Sequence, residues 1–422
     1  MKKLWILLVM VILLTGCGST KDGNKEAGQM NEKFLGDWAG EIEIPQSPLT
    51  INLKLDKNDG SLSVPEQGLK NYPFENITYD GNDLDIMINL QGSKIKIIGK
   101  LKKDIIEGTL IQNGQTFAIK LKPFEEQPLL YEEISVPVEK GQLKAALEKP
   151  TKNEKSYPVA IIISGSGATD KDGNTAGMGK NDSLKMLAEG LADKGIASIR
   201  YDKRGVGENT SLIKKEEDLS IEQYVDDVLK IVAYIKSNQQ FKEIYIIGHS
   251  EGSLIGMLAA RNADIASFIS LAGAGRPADK LLLEQLEGQL PPALMTETKD
   301  VITSLKNGKT VQNVSTELQA LFRPSVQPYL MSWMKYDPSK SIQNVKSPVL
   351  IIQGTNDLQV SKKDAQALKA EKNEAKLVYI DGMNHVLKNA PADRAGNFAT
   401  YTNPKLPLHD ELVPSIVKFI TK

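Results

Sequence analysis

Residues 244–260 read IYIIGHSEGSLIGMLAA, and no other stretch limits the fold so tightly. A buried-strand run, Ile244–Ile247, meets a helix-compatible run, Ser253–Ala260, across five residues. A turn that sharp needs small residues two before and two after its central Ser250, and Gly248 and Gly252 stand there. The same alternation recurs on both sides. Strand-like runs lie at Val159–Ile163, Ala197–Tyr201, Ser267–Leu271, Val349–Gln353 and Leu377–Ile380. Helical runs are predicted near 183–194, 220–237, 251–263, 361–371 and 408–421. In the second of these, Ile221, Tyr224, Val225, Val228, Leu229 and Val232 recur at helical spacing. Short apolar strands alternating with helices imply a mostly parallel sheet with helices on both faces. Ile134–Val138 and Leu143–Leu147 are expected to form a lead-in hairpin.

A chain of 422 residues has room for more than this sheet. Lys2 and Lys3 precede an apolar run, Leu4–Leu14, that is short for a membrane-spanning helix. It ends in Leu14-Thr15-Gly16-Cys17, a pattern that resembles a bacterial lipobox. Residues 1–17 are therefore expected to be a lipoprotein signal peptide, cleaved before a lipidated Cys17 that anchors the chain to a membrane outside the cytoplasm. Cys17 is the only cysteine, so no internal disulfide is expected. Residues 18–32 are polar and suit a flexible tether. Residues 33–128 carry strand-like alternation, as in Thr50–Leu55 and Leu84–Ile88, with turn dipeptides Asp59-Gly60, Asp80-Gly81 and Asn113-Gly114. A small all-β domain, sandwich or barrel, is expected there. The remainder, 129–422, holds the alternating pattern, interrupted at 276–335 by a Leu-, Gln- and Lys-rich segment with Pro291, Pro292, Pro324 and Pro328. That segment is expected to be a helical lid inserted between two sheet strands.

The strand–turn–helix presents Ser250, and a serine hydroxyl attacks only when a base takes its proton. The chain has three histidines. His249 adjoins Ser250 and should point into flanking structure, and His409 opens a C-terminal helix. His385 follows the last strand on a loop, Asp381-Gly382-Met383-Asn384, from which it can reach over the serine. Asp357, just after the strand Val349–Gln353, is the expected orienting carboxylate, with Asp381 as its competitor. The order Ser250, Asp357, His385 is the one used by hydrolases built on such an elbow. An acyl-transfer site also needs donors for an oxyanion. The backbone N–H of Glu251 is one candidate. The N–H of Ser166, in the loop after Val159–Ile163, is the other, with Gly167 as the fallback.

That loop, SGSGATDKDGN at 164–174, admits other readings. Asp170 stands where a dinucleotide fingerprint needs its third glycine, and no Gly-Lys-Ser/Thr closes a phosphate loop. Asp170-Lys171-Asp172-Gly173 has its glycine too early for a calcium loop, and position twelve is Asn181. No cofactor and no metal are expected. With 52 basic and 53 acidic residues, the chain offers no basic field for nucleic acid.

Five motifs in order resemble the α/β-hydrolase superfamily, and more narrowly the EstD-type bacterial esterases related to the serine aminopeptidase-like hydrolases. They are SGSGATDKDG at 164–173, YDKRGVGEN at 201–209, IIGHSEG at 246–252, GTNDLQV at 354–360 and DGMNH at 381–385. The resemblance covers about 130–422 and implies an α/β-hydrolase fold. It implies that Asp202, Arg204, Gly205 and Gly207 shape the floor of the site, the first two as structural partners. Ala168 stands where the family commonly has proline. The expected activity is that of a serine carboxylesterase on small to medium acyl esters, through an acyl-enzyme on Ser250. An exopeptidase or amidase on the same triad is the first alternative, with Glu251, Glu284 or Glu287 holding a substrate amine. A non-enzymatic anchored binding protein is the second.

Overall fold

The structure, a computed structural model, describes residues 30–43, 49–64, 69–90, 93–124, 131–152, 155–175 and 179–421. Cys17, the expected signal peptide and all but the last few positions of the expected tether lie outside the described residues. The described residues of Met1–Leu62, Pro73–Glu125 and Asn313–Arg323 form one compact unit; those of Ser63–Tyr72, Glu126–Gln312 and Pro324–Lys422 form the other.

Nine strands make the first sheet: β1 (Gly36–Ile42), β2 (Leu49–Leu55), β3 (Gly60–Val64), β4 (Leu69–Pro73), β5 (Asn76–Asp80), β6 (Asp83–Leu90), β7 (Ser93–Lys102), β8 (Ile105–Gln112) and β9 (Gln115–Pro123). Their spatial order is β4-β3-β2-β1-β9-β8-β7-β6-β5, and the described ladders are antiparallel. This is one sheet, not the two of a sandwich, and among the described residues no ladder joins its end strands into a barrel. The period-2 pattern explains its core: Ile51, Leu53 and Leu55 are buried while Lys54 between them is exposed.

The second sheet holds β10 (Glu132–Val138), β11 (Gly141–Glu148), β12 (Tyr157–Ile163), β13 (Ala197–Tyr201), β14 (Phe241–His249), β15 (Ser267–Leu271), β16 (Val349–Gly354) and β17 (Lys376–Ile380). They stand in the order β10-β11-β13-β12-β14-β15-β16-β17. β10 and β11 form the antiparallel hairpin expected from sequence, and from β13 onward every pairing is parallel. The strand order reverses beside β12, so the loops leaving β12 and β14 open at one sheet edge, where ligands bind in open α/β sheets.

Helices α1 (Ser183–Ala192), α2 (Ile221–Ser237), α3 (Glu251–Ala260), α4 (Ala278–Leu286), α5 (Pro292–Lys306), α6 (Gln319–Phe322), α7 (Gln327–Met334), α8 (Pro338–Ile342), α9 (Lys362–Glu371), α10 (Arg394–Ala399) and α11 (Leu412–Ile420) complete the chain. Leu184, Leu187 and Leu191 of α1, with Leu412 and Ile416 of α11, pack on Ala160, Ile162, Ile247, Ile269 and Ile352 of the strands. On the opposite face α3 lies against Ile163, Ile246 and Phe268. Alternate residues of each strand thus meet opposite helix layers, which is why these strands are apolar throughout. Ser220 and Gln223 form a capping box that starts α2 where the sequence predicts it. Helices α4 to α7 occupy the 276–335 insertion between the neighbouring strands β15 and β16.

Candidate active site

Ser250 joins β14 to α3 with φ +54° and ψ −118°. A non-glycine residue holds such a backbone only where its surroundings force it. Here the Ser250 N–H is tied to the Leu271 carbonyl at 2.9 Å, and α3 begins at once behind it. Gly252 is required by close approach: a Cβ there would stand 2.4 Å from the Ile163 carbonyl oxygen. The helix N-terminus under Ser250 favours negative charge at the site.

Asp357 and His385 come together from the loops after β16 and β17. The His385 Nδ1–H donates to Asp357 Oδ2 at 2.8 Å, which leaves Nε2 as the basic nitrogen. Asp357 is held by three further donors: Gln353 Nε2 at 3.1 Å, and the N–H groups of Gln359 and Val360 at 2.8 and 2.9 Å. Burial alone would raise its carboxyl, but His385 and the two N–H groups hold it below the usual range. Asp381 goes elsewhere, accepting from the Thr355 hydroxyl at 2.8 Å. The His385 loop is fastened by Asn384, whose Nδ2 donates to Thr400 Oγ1 at 2.7 Å.

His249 is buried. Burial, and after it the neighbouring His385, push its pKa down to about 3, so it is neutral. A neutral ring can donate from Nε2, and the His385 carbonyl lies 2.8 Å away as acceptor. His249 therefore steadies the loop that carries His385. His409 accepts the Glu411 N–H at 3.3 Å and lies outside this group.

Gly165 approaches Ser250 so closely that a Cβ there would stand 3.3 Å from the serine Cβ and 3.5 Å from His249 Nδ1. Ser166 follows, exposed, and its N–H has no acceptor among the described residues. The Glu251 N–H occupies the first turn of α3, where the helix supplies no partner. One candidate oxyanion donor thus adjoins Ser250 in the chain, and the other follows Gly165, which abuts it. The rest of the loop is tied down without the family's proline. The Thr169 hydroxyl donates to the Ser166 carbonyl at 2.7 Å. Asp170 Oδ1 accepts the N–H groups of Asp172 and Asn174 at 2.9 and 2.8 Å.

The acids that faintly suggest a calcium loop are committed to protein partners. Asp202 Oδ1 accepts the Lys171 N–H at 2.7 Å, and Asp202 Oδ2 the Glu208 N–H at 2.9 Å. Asp172 pairs with Arg200 Nε at 2.9 Å. The motif YDKRG and the loop after β12 are thereby joined. Arg204 forms a two-pronged pair with Asp227 of α2, its Nε at 2.8 Å. One residue of this motif escapes the sequence-based expectations. Lys203, buried with its neighbours, donates to the Gly165 carbonyl and pairs with Glu251 at 2.8 Å. A lysine between an aspartate and an arginine carries no signal of burial in sequence.

A serine on a strand-to-helix elbow in a mostly parallel, helix-covered sheet, with a histidine–carboxylate pair packed against the elbow's His249, defines an α/β hydrolase. Residues 179–391 match the family described as serine aminopeptidase, S33, and the chain belongs to that family. It is similar to esterase EstD of Thermotoga maritima, 26% identical over 238 residues that span 55% of this chain and 55% of EstD, little more than half of that protein. It is also similar to the monoglyceride lipase homolog of Monkeypox virus, 25% identical over 222 residues, 48% of this chain and 72% of the viral protein. Among solved structures, ferulic acid-bound Est1E from Butyrivibrio proteoclasticus matches at 21% identity and a TM-score of 0.47, over 68% of this chain and 96% of that one.

Proposed function

We propose that this protein is a serine carboxylesterase that cleaves small to medium acyl esters and is held at a membrane, outside the cytoplasm, by a lipidated Cys17. The observation that carries the reading is that the Asp357–His385 pair packs against His249, the residue next to Ser250 in the elbow, with the His249 and His385 rings 4.8 Å apart. Ser250 Oγ attacks the ester carbonyl while His385 Nε2 takes its proton. The N–H groups of Glu251 and Ser166 receive the oxyanion. His385 then protonates the departing alkoxide, and the acyl group stays on Ser250. Water, deprotonated by His385, attacks the acyl-enzyme and releases the acid. The helices inserted at 276–335 act as the lid that limits acyl length.

Two of the three acids that an exopeptidase could use are already engaged. An aminopeptidase needs a free carboxylate for the substrate's ammonium. The Glu251 side chain is wholly buried and already paired with Lys203, and Glu284 is paired with Arg276, whereas Glu287 is exposed with no ion-pair partner among the described residues. Ser250→Ala is expected to lower p-nitrophenyl butyrate hydrolysis by about 10³-fold or more and to abolish labelling by a fluorophosphonate. Undiminished turnover in that variant would overturn the assignment. Faster cleavage of aminoacyl-naphthylamides than of simple esters by the wild type would favour the exopeptidase. A folded protein that no serine probe labels would favour a binding protein.

A further inference from the structure

We propose that Lys203 is a positioning residue that sets the oxyanion hole, acting through the buried pair it forms with Glu251; this rests on the esterase reading above. Three contacts hold Lys203 Nζ among the described residues. It donates to the Gly165 carbonyl, pairs with Glu251 Oε2 at 2.8 Å, and lies 5.2 Å from the centre of the Tyr224 ring. Its side chain is 1% exposed and that of Glu251 is 0% exposed.

The first consequence is geometric. The described peptides include no cis bond, so the Gly165 carbonyl and the Ser166 N–H, which share one peptide plane, point in opposite directions. A buried cation that draws the carbonyl inward turns the Ser166 N–H the opposite way, toward the exposed side of the loop. The second is electronic. A charge on the carbonyl oxygen polarises the peptide and makes its N–H a stronger donor. The third concerns Glu251, whose backbone N–H is the other donor. Its carboxylate would repel an oxyanion forming nearby, and Lys203 neutralises it. One ammonium thus touches the peptide of one donor and the side chain of the other.

Stability by itself is a weak reason for such a pair. Buried ion pairs are commonly replaceable by apolar residues without loss, because desolvation offsets their attraction. Glu251 Oε1 even lacks a hydrogen-bond partner among the described residues. Fixing two donors relative to Ser250 gives the pair a role that a hydrophobic contact cannot fill.

The double variant Lys203→Met, Glu251→Leu tests this in the full-length protein, with p-nitrophenyl butyrate as substrate and a phenylboronic acid as a probe of the tetrahedral oxyanion. The double variant is expected to keep the wild-type Tm within a few degrees. Its kcat falls about 10- to 100-fold, KM stays within about threefold, and the boronate Ki rises in proportion to the loss in kcat/KM. Lys203→Arg, which keeps a charged donor beside Gly165, recovers part of kcat. Should the double variant not fold, Lys203→Gln is expected to show the same split between kcat and KM. A folded variant with kcat within about threefold of wild type, or a loss confined to KM, would overturn the proposal. A wild type inert to both ester and fluorophosphonate would overturn the esterase reading and this inference with it, whereas an active wild type with an unimpaired variant sinks this inference alone.

Discussion

Asp357 accepts from four donors at once, and that number decides how the site responds to change. Asp357→Asn keeps the shape but places an amide N–H₂ where one oxygen accepted. It then faces either two backbone N–H groups or the His385 ring, and the favoured imidazole tautomer is lost. We expect kcat to fall by about 10³-fold or more with KM little changed, and fluorophosphonate labelling to slow in parallel. Equal loss on Asp381→Asn would move the role to that residue. The sequence offers both carboxylates to His385, and nearness along the chain favours Asp381. The fold decides between them because β16 and β17 are parallel neighbours, which brings their following loops side by side. Lys203 is a sharper case. Its partners lie at Gly165 and Glu251, and nothing within YDKRG marks it as buried.

At the scale of elements, the loop after β12 is a network closed on its own acids. Burial, and next the Asp172 carboxylate, push the Asp170 pKa up to about 6. The folded carboxyl therefore binds a proton at a pH where the unfolded one, near the ordinary aspartate value, does not. Stability falls as pH rises through the window from about 4 to about 6. Asp170→Asn removes the titrating group. The stability of that variant relative to wild type should be more favourable at pH 7 than at pH 4.5, by about 2 kcal/mol, read from denaturant midpoints at the two pH values. A difference independent of pH would show that the carboxyl is not buried as described. The strands and main helices of the second sheet are legible in sequence because each is fixed by local periodicity and, for α2, by its cap. The loop is not, because its stiffness comes from hydrogen bonds and ion pairs to Asp202, Arg200 and Asp182 in other elements.

For the whole molecule, the described residues fall into two compact units, and the apolar run Leu4–Leu14 before Cys17 is proposed as a cleaved leader. The leader makes the broadest prediction. Cells expressing the protein are expected to incorporate labelled palmitate into it, and Cys17→Ser is expected to lose both the label and the membrane-bound fraction. A chain that fractionates with membranes but takes no label would sink the lipoprotein reading. The first sheet shows where pattern stops. Alternation and turn dipeptides identify strands, but a strand with one buried face suits a sandwich, a barrel or a single sheet alike. The spatial order that pairs β1 with β9 depends on contacts across 77 to 85 positions.

By itself the sequence determined the strand–elbow–helix around Ser250, the alternation that requires a helix-covered parallel sheet, and the order of serine, aspartate and histidine along the chain. These follow from backbone sterics and from the spacing of apolar residues, both local. Only the tertiary structure decided which carboxylate faces His385, that Asp170-Lys171-Asp172-Gly173 braces the loop onto YDKRG, and that Lys203 joins the two candidate oxyanion donors. Those are relations between charged groups brought together from distant positions. In water such groups are indifferent to one another; removed from it, each must find a partner, and the fold determines which one it meets.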